Sequence, residues 1–268
     1  MHVAGIDVGS VAAKALVLEE RPGKEPRVAG RAVLPTGWNA AESGRTALEQ
    51  ACAAAGIARE NLRRIVATGY GRIALPFADK TLTEIGCQAR GAAHFFPRAG
   101  IVLDIGGQDT KVISLEAPNS RAPGKAGKVR DFLMNDKCAA GTGRFLQVLS
   151  GLLDLPLDEL GRAASTGRPV EISSMCAVFA ETEIVGLLAE GTAPQDIAAG
   201  VFRSIARRMC ALARRVTLHG ECVFTGGLAV ISPFASILAD ELGWPVKVPD
   251  DPQVVGALGA ALIALELE

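Results

Sequence analysis

The chain has 268 residues, and its 28 Lys and Arg residues nearly balance its 29 Asp and Glu residues, which gives a formal net charge of −1. This balance argues against a protein that binds nucleic acid or membrane surfaces through bulk positive charge. A hydrophobic fraction of 49% argues against intrinsic disorder, and no apolar run is long enough to span a bilayer. Because the N-terminus also lacks a secretory leader, we expect a soluble, globular, cytoplasmic protein.

The first half of the chain is predicted to begin with two strands joined by a glycine turn, over residues 3–18. Strands are also predicted at 27–33 and 65–68, where β-branched and apolar residues dominate. Residues 46–55 carry apolar side chains at helical spacing, and they predict a helix that ends before Gly56. This mixture of elements is typical of an α/β fold.

The opening motif recurs near residue 100. Asp7-Val-Gly and Asp104-Ile-Gly each end an apolar strand, and each is followed by a short turn, a lysine and a second apolar strand. Two copies of one supersecondary unit indicate a duplicated fold. The sequence therefore predicts an α/β protein made of two similar halves.

The second half continues with short strands and longer helices. Strands are predicted at 129–134 and 222–225, and helices near 145–153, 197–216 and 256–267. The stretch 117–128, rich in Pro, Gly and Lys, is predicted to form an exposed hairpin loop.

The glycine turns have the chemistry of a phosphate-binding site, because backbone N–H groups can approach a phosphate chain where no side chain intervenes. Asp7 and Asp104 lie near strand ends, where their carboxylates would hold Mg²⁺. Lys14 would neutralise phosphate charge, and Gln108 or Asp109 would orient an attacking water. For each turn taken alone, an ordinary hairpin is the alternative.

The order of these turns, followed by a late turn at Thr225-Gly226-Gly227, resembles the superfamily of actin, sugar kinases and heat-shock ATPase chaperones. The resemblance implies two ribonuclease-H-like domains with ATP in the cleft between them. It also implies that the last helix returns to the first domain. We therefore expect one domain at residues 1–94 plus 253–268 and a second domain at residues 95–252.

Two of the six cysteines, Cys138 and Cys176, lie at or just before predicted helix starts. The N–H groups and dipole of a helix N-terminus lower the pKa of a thiol and favour an anionic cluster there. A cubane iron–sulfur cluster usually takes four thiolates, so a twofold symmetric dimer would supply two from each chain. Burial as small hydrophobic side chains is the alternative for both, and it is the prediction for Cys52, Cys210 and Cys222.

The most distinctive stretches of the sequence are 5–10 (GIDVGS), 67–72 (ATGYGR), 104–109 (DIGGQD), 135–145 (NDKCAAGTGRF) and 173–181 (SSMCAVFAE). Together they resemble the activators of 2-hydroxyglutaryl-CoA dehydratase, a family that also contains the ATP-binding subunits of benzoyl-CoA reductase. The resemblance extends from about residue 3 to residue 265.

This resemblance implies an ATPase coupled to low-potential electron transfer. Such activators are oxygen-sensitive homodimers with one 4Fe-4S cluster shared between the subunits, and Cys138 and Cys176 match the ligand positions. ATP hydrolysis drives one-electron transfer to a partner 2-hydroxyacyl-CoA dehydratase or a related iron–sulfur reductase. A reduced ferredoxin or flavodoxin supplies the electron. We expect the same activity, cofactors (ATP or ADP, Mg²⁺ and the cluster) and partners for this chain.

The predicted catalytic residues are Asp7, Asp104 and Gln108. The predicted nucleotide-binding residues are Ser10, Val11, Ala12, Ala13, Lys14, Gly106, Gly107, Gly226, Gly227 and Gln253. The first turn usually reads S-T-x-S-K in the family, whereas this chain reads Ser-Val-Ala-Ala-Lys and so lacks two hydroxyls. Because backbone donors remain, we expect ATP binding to persist with altered contacts to Mg²⁺ or phosphate.

Other functions stay open. The chain would alternatively be the permanent ATP-binding subunit of a benzoyl-CoA-type reductase, a small-molecule kinase of the same superfamily, or an ATP-dependent switch in which both cysteines are structural. Arginines between residues 203 and 215 are predicted to form a solvated helix face, with a docking patch for an acidic partner as the alternative.

Overall fold

The computed structural model describes residues 1–116, 127–136, 141–173 and 176–267. The chain divides into two compact units. The first comprises Met1–Ala99, Leu115–Arg130 and Gln253–Glu268, and the second comprises Gly100–Ser114 and Asp131–Pro252. The assignment of residues 1–94 plus 253–268 and of residues 95–252 to two ATPase domains stays a prediction.

The strands are β1 (His2–Val8), β2 (Ala12–Glu19), β3 (Arg27–Pro35), β4 (Leu62–Thr68), β5 (Lys80–Thr81), β6 (Ala99–Ile105), β7 (Thr110–Leu115), β8 (Val129–Asn135), β9 (Glu221–Gly226) and β10 (Val246–Lys247). The α-helices are α1 (Ala40–Ala55), α2 (Glu84–Phe95), α3 (Gly143–Leu153), α4 (Leu157–Thr166), α5 (Ala177–Ala189), α6 (Pro194–Ala213), α7 (Ser232–Leu242) and α8 (Val255–Glu266). Among the helices of the described residues, none is both long and apolar enough to cross a membrane.

The first unit is a mixed sheet covered by helices. Its strand order is β3-β2-β1-β4-β5, with β1 antiparallel to β2 and parallel to β4. Because side chains alternate along β1, Ile6 joins a cluster with Leu48 of α1, whereas Val3 joins a cluster with Leu258 of α8. At Gly5, α8 approaches so closely that a Cβ atom would collide with its backbone. The strand that carries Asp7 is therefore buried on both faces.

The second unit repeats this plan with a larger core. Its strand order is β10-β9-β6-β7-β8, with β6 antiparallel to β7 and β9 parallel to β10. Four fully buried phenylalanines, Phe145, Phe202, Phe224 and Phe234, come from α3, α6, β9 and α7. The ring centroid of Phe234 lies 5.6 Å from those of both Phe202 and Phe224. This core anchors β6 and β9, whose ends carry predicted site residues.

The prediction of two similar α/β halves is confirmed by the two sheets. Helix α1 begins at Ala40, earlier than residue 46, because the Asn39 side chain caps it by accepting a hydrogen bond from the Glu42 N–H at 3.2 Å. Helix α6 ends at Ala213, so Val216 lies beyond it, outside the predicted helix 197–216. Of the predicted loop 117–128, residues 117–126 lie outside the described part of the chain.

Candidate functional site

The hairpin β1–β2 places a carboxylate and an amine next to its turn. Asp7 faces Lys14 in the antiparallel register, and the Lys14 Nζ atom lies 3.1 Å from Asp7 Oδ2. The turn is closed by the Gly9 N–H, which donates to the Ala12 carbonyl at 3.0 Å. It is braced by the Thr36 hydroxyl, which donates to the Gly9 carbonyl at 2.8 Å. The predicted phosphate turn is therefore a rigid hairpin end.

The other residues predicted for this turn contribute backbone rather than side-chain chemistry. Ser10, Val11 and Ala12 are partly exposed, whereas Ala13 is fully buried. Since Val11, Ala12 and Ala13 carry apolar side chains, only the peptide N–H groups, the Ser10 hydroxyl and the Lys14 amine can interact with an anion here.

The hairpin β6–β7 repeats this geometry with more charge. Asp104 faces Lys111, whose Nζ lies 3.3 Å from Asp104 Oδ2 and 2.6 Å from Asp109 Oδ1. The Gly106 N–H donates to the Asp109 carbonyl at 2.9 Å, as in the first hairpin. Asp109 Oδ2 is buried and has no hydrogen-bond partner among the described residues. Gln108 is exposed at the turn, so its side chain is accessible to solvent.

The late turn after β9 is joined directly to Asp104. The Thr225 hydroxyl donates to Asp104 Oδ1 at 2.9 Å. Gly226 has φ +91°, and a Cβ atom there would lie 2.9 Å from the same carboxylate oxygen. Gly227 is exposed and begins a 3₁₀ helix. Both glycines thus keep side chains away from the end of the sheet, which leaves room for a ligand.

Gln253 lies two residues before α8 and is partly buried. The preceding residue, Pro252, accepts a hydrogen bond from the Gly226 N–H at 3.1 Å. A backbone hydrogen bond therefore joins the late turn to the residue before Gln253.

Sequence reasoning did not assign a site to a second strand-end turn, at Thr68-Gly69 after β4. Gly69 has φ +83°, and a Cβ atom there would collide with Asp7 and Val8. A 3₁₀ helix, Tyr70–Ala74, follows it. The sequence contains a signal for this turn, since a Thr-Gly pair follows an apolar strand both here and at Thr225-Gly226. In the sequence analysis, the stretch 67–72 was used only as evidence for the family resemblance.

The second hairpin is hydrogen-bonded to the start of α3. Gly143 N–H donates to the Gly106 carbonyl at 2.9 Å, and Arg144 N–H donates to the Gly107 carbonyl at 3.0 Å. The buried Thr110 hydroxyl donates to the Gly141 carbonyl at 2.8 Å. These bonds join the predicted phosphate turn to the segment that follows Cys138, while Cys138 itself lies outside the described residues.

Cys176 is exposed and is the N-cap residue of α5, which confirms its predicted position at a helix start. Its carbonyl accepts a hydrogen bond from the Ala180 N–H at 2.9 Å. The first turn of α5 also exposes two large apolar side chains, Val178 (67%) and Phe179 (69%). The Cys176 thiol is therefore accessible from solvent.

The other described cysteines are buried, as predicted for Cys52, Cys210 and Cys222. Burial raises the pKa of Cys87 and Cys222 to about 12 and that of Cys210 to about 11, and it also raises the pKa of Cys52. Because a thiolate is needed to bind iron, these four side chains are poor ligands. Within the described ranges, no three His, Cys, Asp or Glu side chains are grouped to hold a metal ion.

Two arginines of α6 form ion pairs at the surface. Arg203 and Arg207 both reach Glu241 of α7, at 2.8 and 3.4 Å. Both are well exposed, which agrees with the predicted solvated face.

Comparison with known proteins finds similarity over nearly the whole chain. Residues 4–264 match the BadF/BadG/BcrA/BcrD ATPase family. The activator of lactoyl-CoA dehydratase from Anaerotignum propionicum is 41% identical over 269 residues, which cover 99% of this chain and 98% of that protein.

Two solved structures are similar at 38% identity. One is the activator of the 2-hydroxyisocaproyl-CoA dehydratase from Clostridium difficile with bound ADPNP, with a TM-score of 0.89 over 99% of this chain and 95% of that chain. The other is component A of the (R)-2-hydroxyglutaryl-CoA dehydratase from Acidaminococcus fermentans, with a TM-score of 0.90 over 99% of this chain and 98% of that chain. The predicted actin-like ATPase fold is confirmed by these similarities, and the chain belongs to the BadF/BadG/BcrA/BcrD ATPase family.

Proposed function

We propose that this protein is an ATP-dependent activator that passes one electron to a partner 2-hydroxyacyl-CoA dehydratase or a related iron–sulfur reductase. The observation that carries the proposal is the set of hydrogen bonds between the second hairpin and the start of α3, through Gly106, Gly107 and Thr110. Through these bonds, a change of ligand at a phosphate turn would act on the segment next to Cys138. Similarity to two dehydratase activators, one with bound ADPNP, supports the same function.

ATP would be bound through the backbone N–H groups of the glycine turns and through Lys14. Asp7 and Asp104 would hold the waters of Mg²⁺, because each carboxylate lies at a strand end beside a turn. The buried, unpartnered Asp109 Oδ2 fits a cation in this region, since a buried carboxylate oxygen without a partner is costly. Gln108, exposed at its turn, would orient the attacking water.

Cys138 and Cys176 would hold one 4Fe-4S cluster between two copies of the chain. The donor chemistry fits, because Cys176 is exposed at a helix start, whereas the other described cysteines are buried. When bound, the cluster would supply a one-electron carrier that is sensitive to oxygen. Val178 and Phe179 would limit access of water to Cys176 once a second copy covers them. The electron donor would be a reduced ferredoxin or flavodoxin.

The decisive test is iron analysis after purification without oxygen. We expect about four irons and about four acid-labile sulfides per dimer, together with a visible absorption band that dithionite bleaches. Replacement Cys176→Ser should abolish iron binding and leave ATP binding intact. Cys210→Ser is the matched control, because Cys210 is buried in the same unit and should not affect iron.

The competing functions predict different results. An iron-free protein that hydrolyses ATP after attempted reconstitution would reject the electron-transfer function and favour a kinase or an ATP-dependent switch. Retention of iron and colour in Cys176→Ser would reject the ligand assignment alone. A stable complex of fixed stoichiometry with a reductase subunit would favour the benzoyl-CoA-type alternative.

A further inference from the structure

The turn after β4 carries a cation for which sequence reasoning proposed no function. We propose that Arg72 is a phosphate-binding residue for the nucleotide, acting from the Gly69–Ala74 turn beside Asp7. The proposal rests on the ATP binding proposed above and adds a second cation to Lys14 at this end of the first unit.

The turn after β4 has the same construction as the late turn after β9. In each, a buried threonine lies at the end of a strand or next to it, and the glycine that follows has positive φ, +83° at Gly69 and +91° at Gly226. Each glycine lies against the aspartate that is second from the end of the neighbouring strand, so that a Cβ atom would clash there. A 3₁₀ helix follows each glycine. If the late turn binds nucleotide, its counterpart is built to approach a ligand in the same way.

The two turns differ in charge. Counted from the glycine, the position of Arg72 corresponds to Ala229, a buried small side chain. The repeat therefore explains the shape of the turn after β4 but not its arginine. The cation is thus the chemical feature that distinguishes the turn after β4 from the late turn.

Arg72 is held at the end of the strands rather than free in solvent. It is partly buried, and its guanidinium Nη1 donates to the Gly69 carbonyl at 2.8 Å. Burial has the largest effect on the pKa of the nearby Cys87 thiol and raises it. The Asp7 carboxylate also raises this pKa, whereas the Arg72 charge lowers it. Arg72 and Asp7 thus share one electrostatic neighbourhood.

The chemistry of the guanidinium fits a phosphate. A guanidinium has five N–H donors in a planar fork, and the bond to Gly69 uses one of them. Lys14 already lies 3.1 Å from Asp7, so part of its charge is balanced within the protein. A nucleotide triphosphate carries several negative charges, and a second cation near Asp7 would balance one of them.

The test compares Arg72→Gln and Arg72→Lys in the full-length protein, with calorimetric titration of Mg·ATP and Mg·ADP, steady-state ATP hydrolysis and thermal unfolding. Arg27→Gln is the matched control, because Arg27 pairs with Glu19 at the far end of the same sheet. We expect Arg72→Gln to weaken ATP binding about 10- to 100-fold, with a smaller loss for ADP. Arg72→Lys should restore part of the ATP affinity, and Arg27→Gln should match wild type.

Two results would reject the proposal for Arg72, and a third would reject the proposed function. The measurements distinguish all three. Unchanged ATP affinity in Arg72→Gln would reject the phosphate contact. Equal losses for ATP and ADP, accompanied by a lower melting temperature in both variants, would show that Arg72 only braces its turn. Absence of ATP binding by the wild-type protein would instead reject the proposed function itself.

Discussion

The hairpins β1–β2 and β6–β7 have the same backbone geometry and differ in their side chains. In both, an aspartate faces a lysine across the ladder and a glycine N–H closes the turn. At the two positions before the lysine, however, Ala12 and Ala13 of the first hairpin correspond to Asp109 and Thr110 of the second. The repeat conserves the turn geometry, while the side chains before the lysine distinguish the two copies.

This difference changes how each hairpin can act. The Lys14 side chain is 16% exposed and has one carboxylate, whereas the Lys111 side chain is 5% exposed and lies between two. Thr110 also connects the second hairpin to Gly141, a bond that Ala13 cannot make. The amine of the first hairpin is therefore the more accessible of the two, whereas the second hairpin is hydrogen-bonded to Gly141.

The largest expected effect comes from removing the second lysine. Lys111→Met would leave Asp104 and Asp109 buried without their cation, and we expect a loss of about 3–5 kcal/mol in the free energy of unfolding. Lys14→Met should cost only about 1–2 kcal/mol, because Lys14 is more exposed than Lys111 and pairs with one carboxylate rather than two, but it should weaken ATP binding more. Urea unfolding and ATP titration measure both effects. Equal destabilisation by the two variants would contradict the comparison.

The turn glycines should behave alike in both units. Gly69→Ala and Gly226→Ala combine positive φ with a clash against backbone, and we expect each to cost about 2–4 kcal/mol in thermal or urea unfolding. Gly151→Ala is the control, because nothing lies within 4 Å of that position, and it should be neutral or slightly stabilising. A neutral Gly69→Ala would mean that the turn after β4 is not equivalent to the late turn.

A smaller effect is expected at the connection to α3. Thr110→Val removes the buried hydrogen bond to Gly141 and should cost about 1–2 kcal/mol. Amide hydrogen exchange at residues 141–146 should become faster, while Thr110→Ser, which keeps the hydroxyl, should behave like wild type. Unchanged exchange in Thr110→Val would remove this residue from the proposed transmission.

The smallest effect is expected for Asp109→Asn. The variant makes the second hairpin resemble the first in charge, because Lys111 keeps Asp104 and the new amide oxygen can still accept its hydrogen bond. We expect a change below about 1 kcal/mol in urea unfolding. A loss comparable to that of Lys111→Met would indicate that Asp109 is essential to the charge balance.

The sequence predicted the repeated parts of the molecule well. Asp7, Lys14, Asp104 and their strands were recognisable because the same local pattern occurs twice, and periodic apolar residues defined the helices. The hydrogen bond from Thr225 to Asp104 was not predictable, since it joins residues far apart in the chain through neighbouring strands. The pairing of Asp109 with Lys111 was missed because Asp109 lies in the turn before β7, and the sequence pattern does not specify the conformation of that turn.

The cysteines show the same limit. Local sequence identified Cys176 as a helix-start residue, which the structure confirms. The connection between the second hairpin and residues 141–144 depends on the path of the intervening chain, which no local pattern specifies. The positions of strands, turns and helix starts were therefore accessible to sequence reasoning, whereas side-chain contacts at a turn and contacts between supersecondary units were not.

The position of α8 has a consequence for the synthesis of the protein. This helix covers one face of the first sheet, yet it is encoded after the whole second unit. Gly5, Gly91 and Gly259 allow its close backbone contacts, because a Cβ atom at any of the three would collide with a backbone oxygen. On the ribosome, the second unit can complete its core while the first still exposes an apolar sheet face. The first unit therefore cannot complete its packing until the C-terminal helix has been translated.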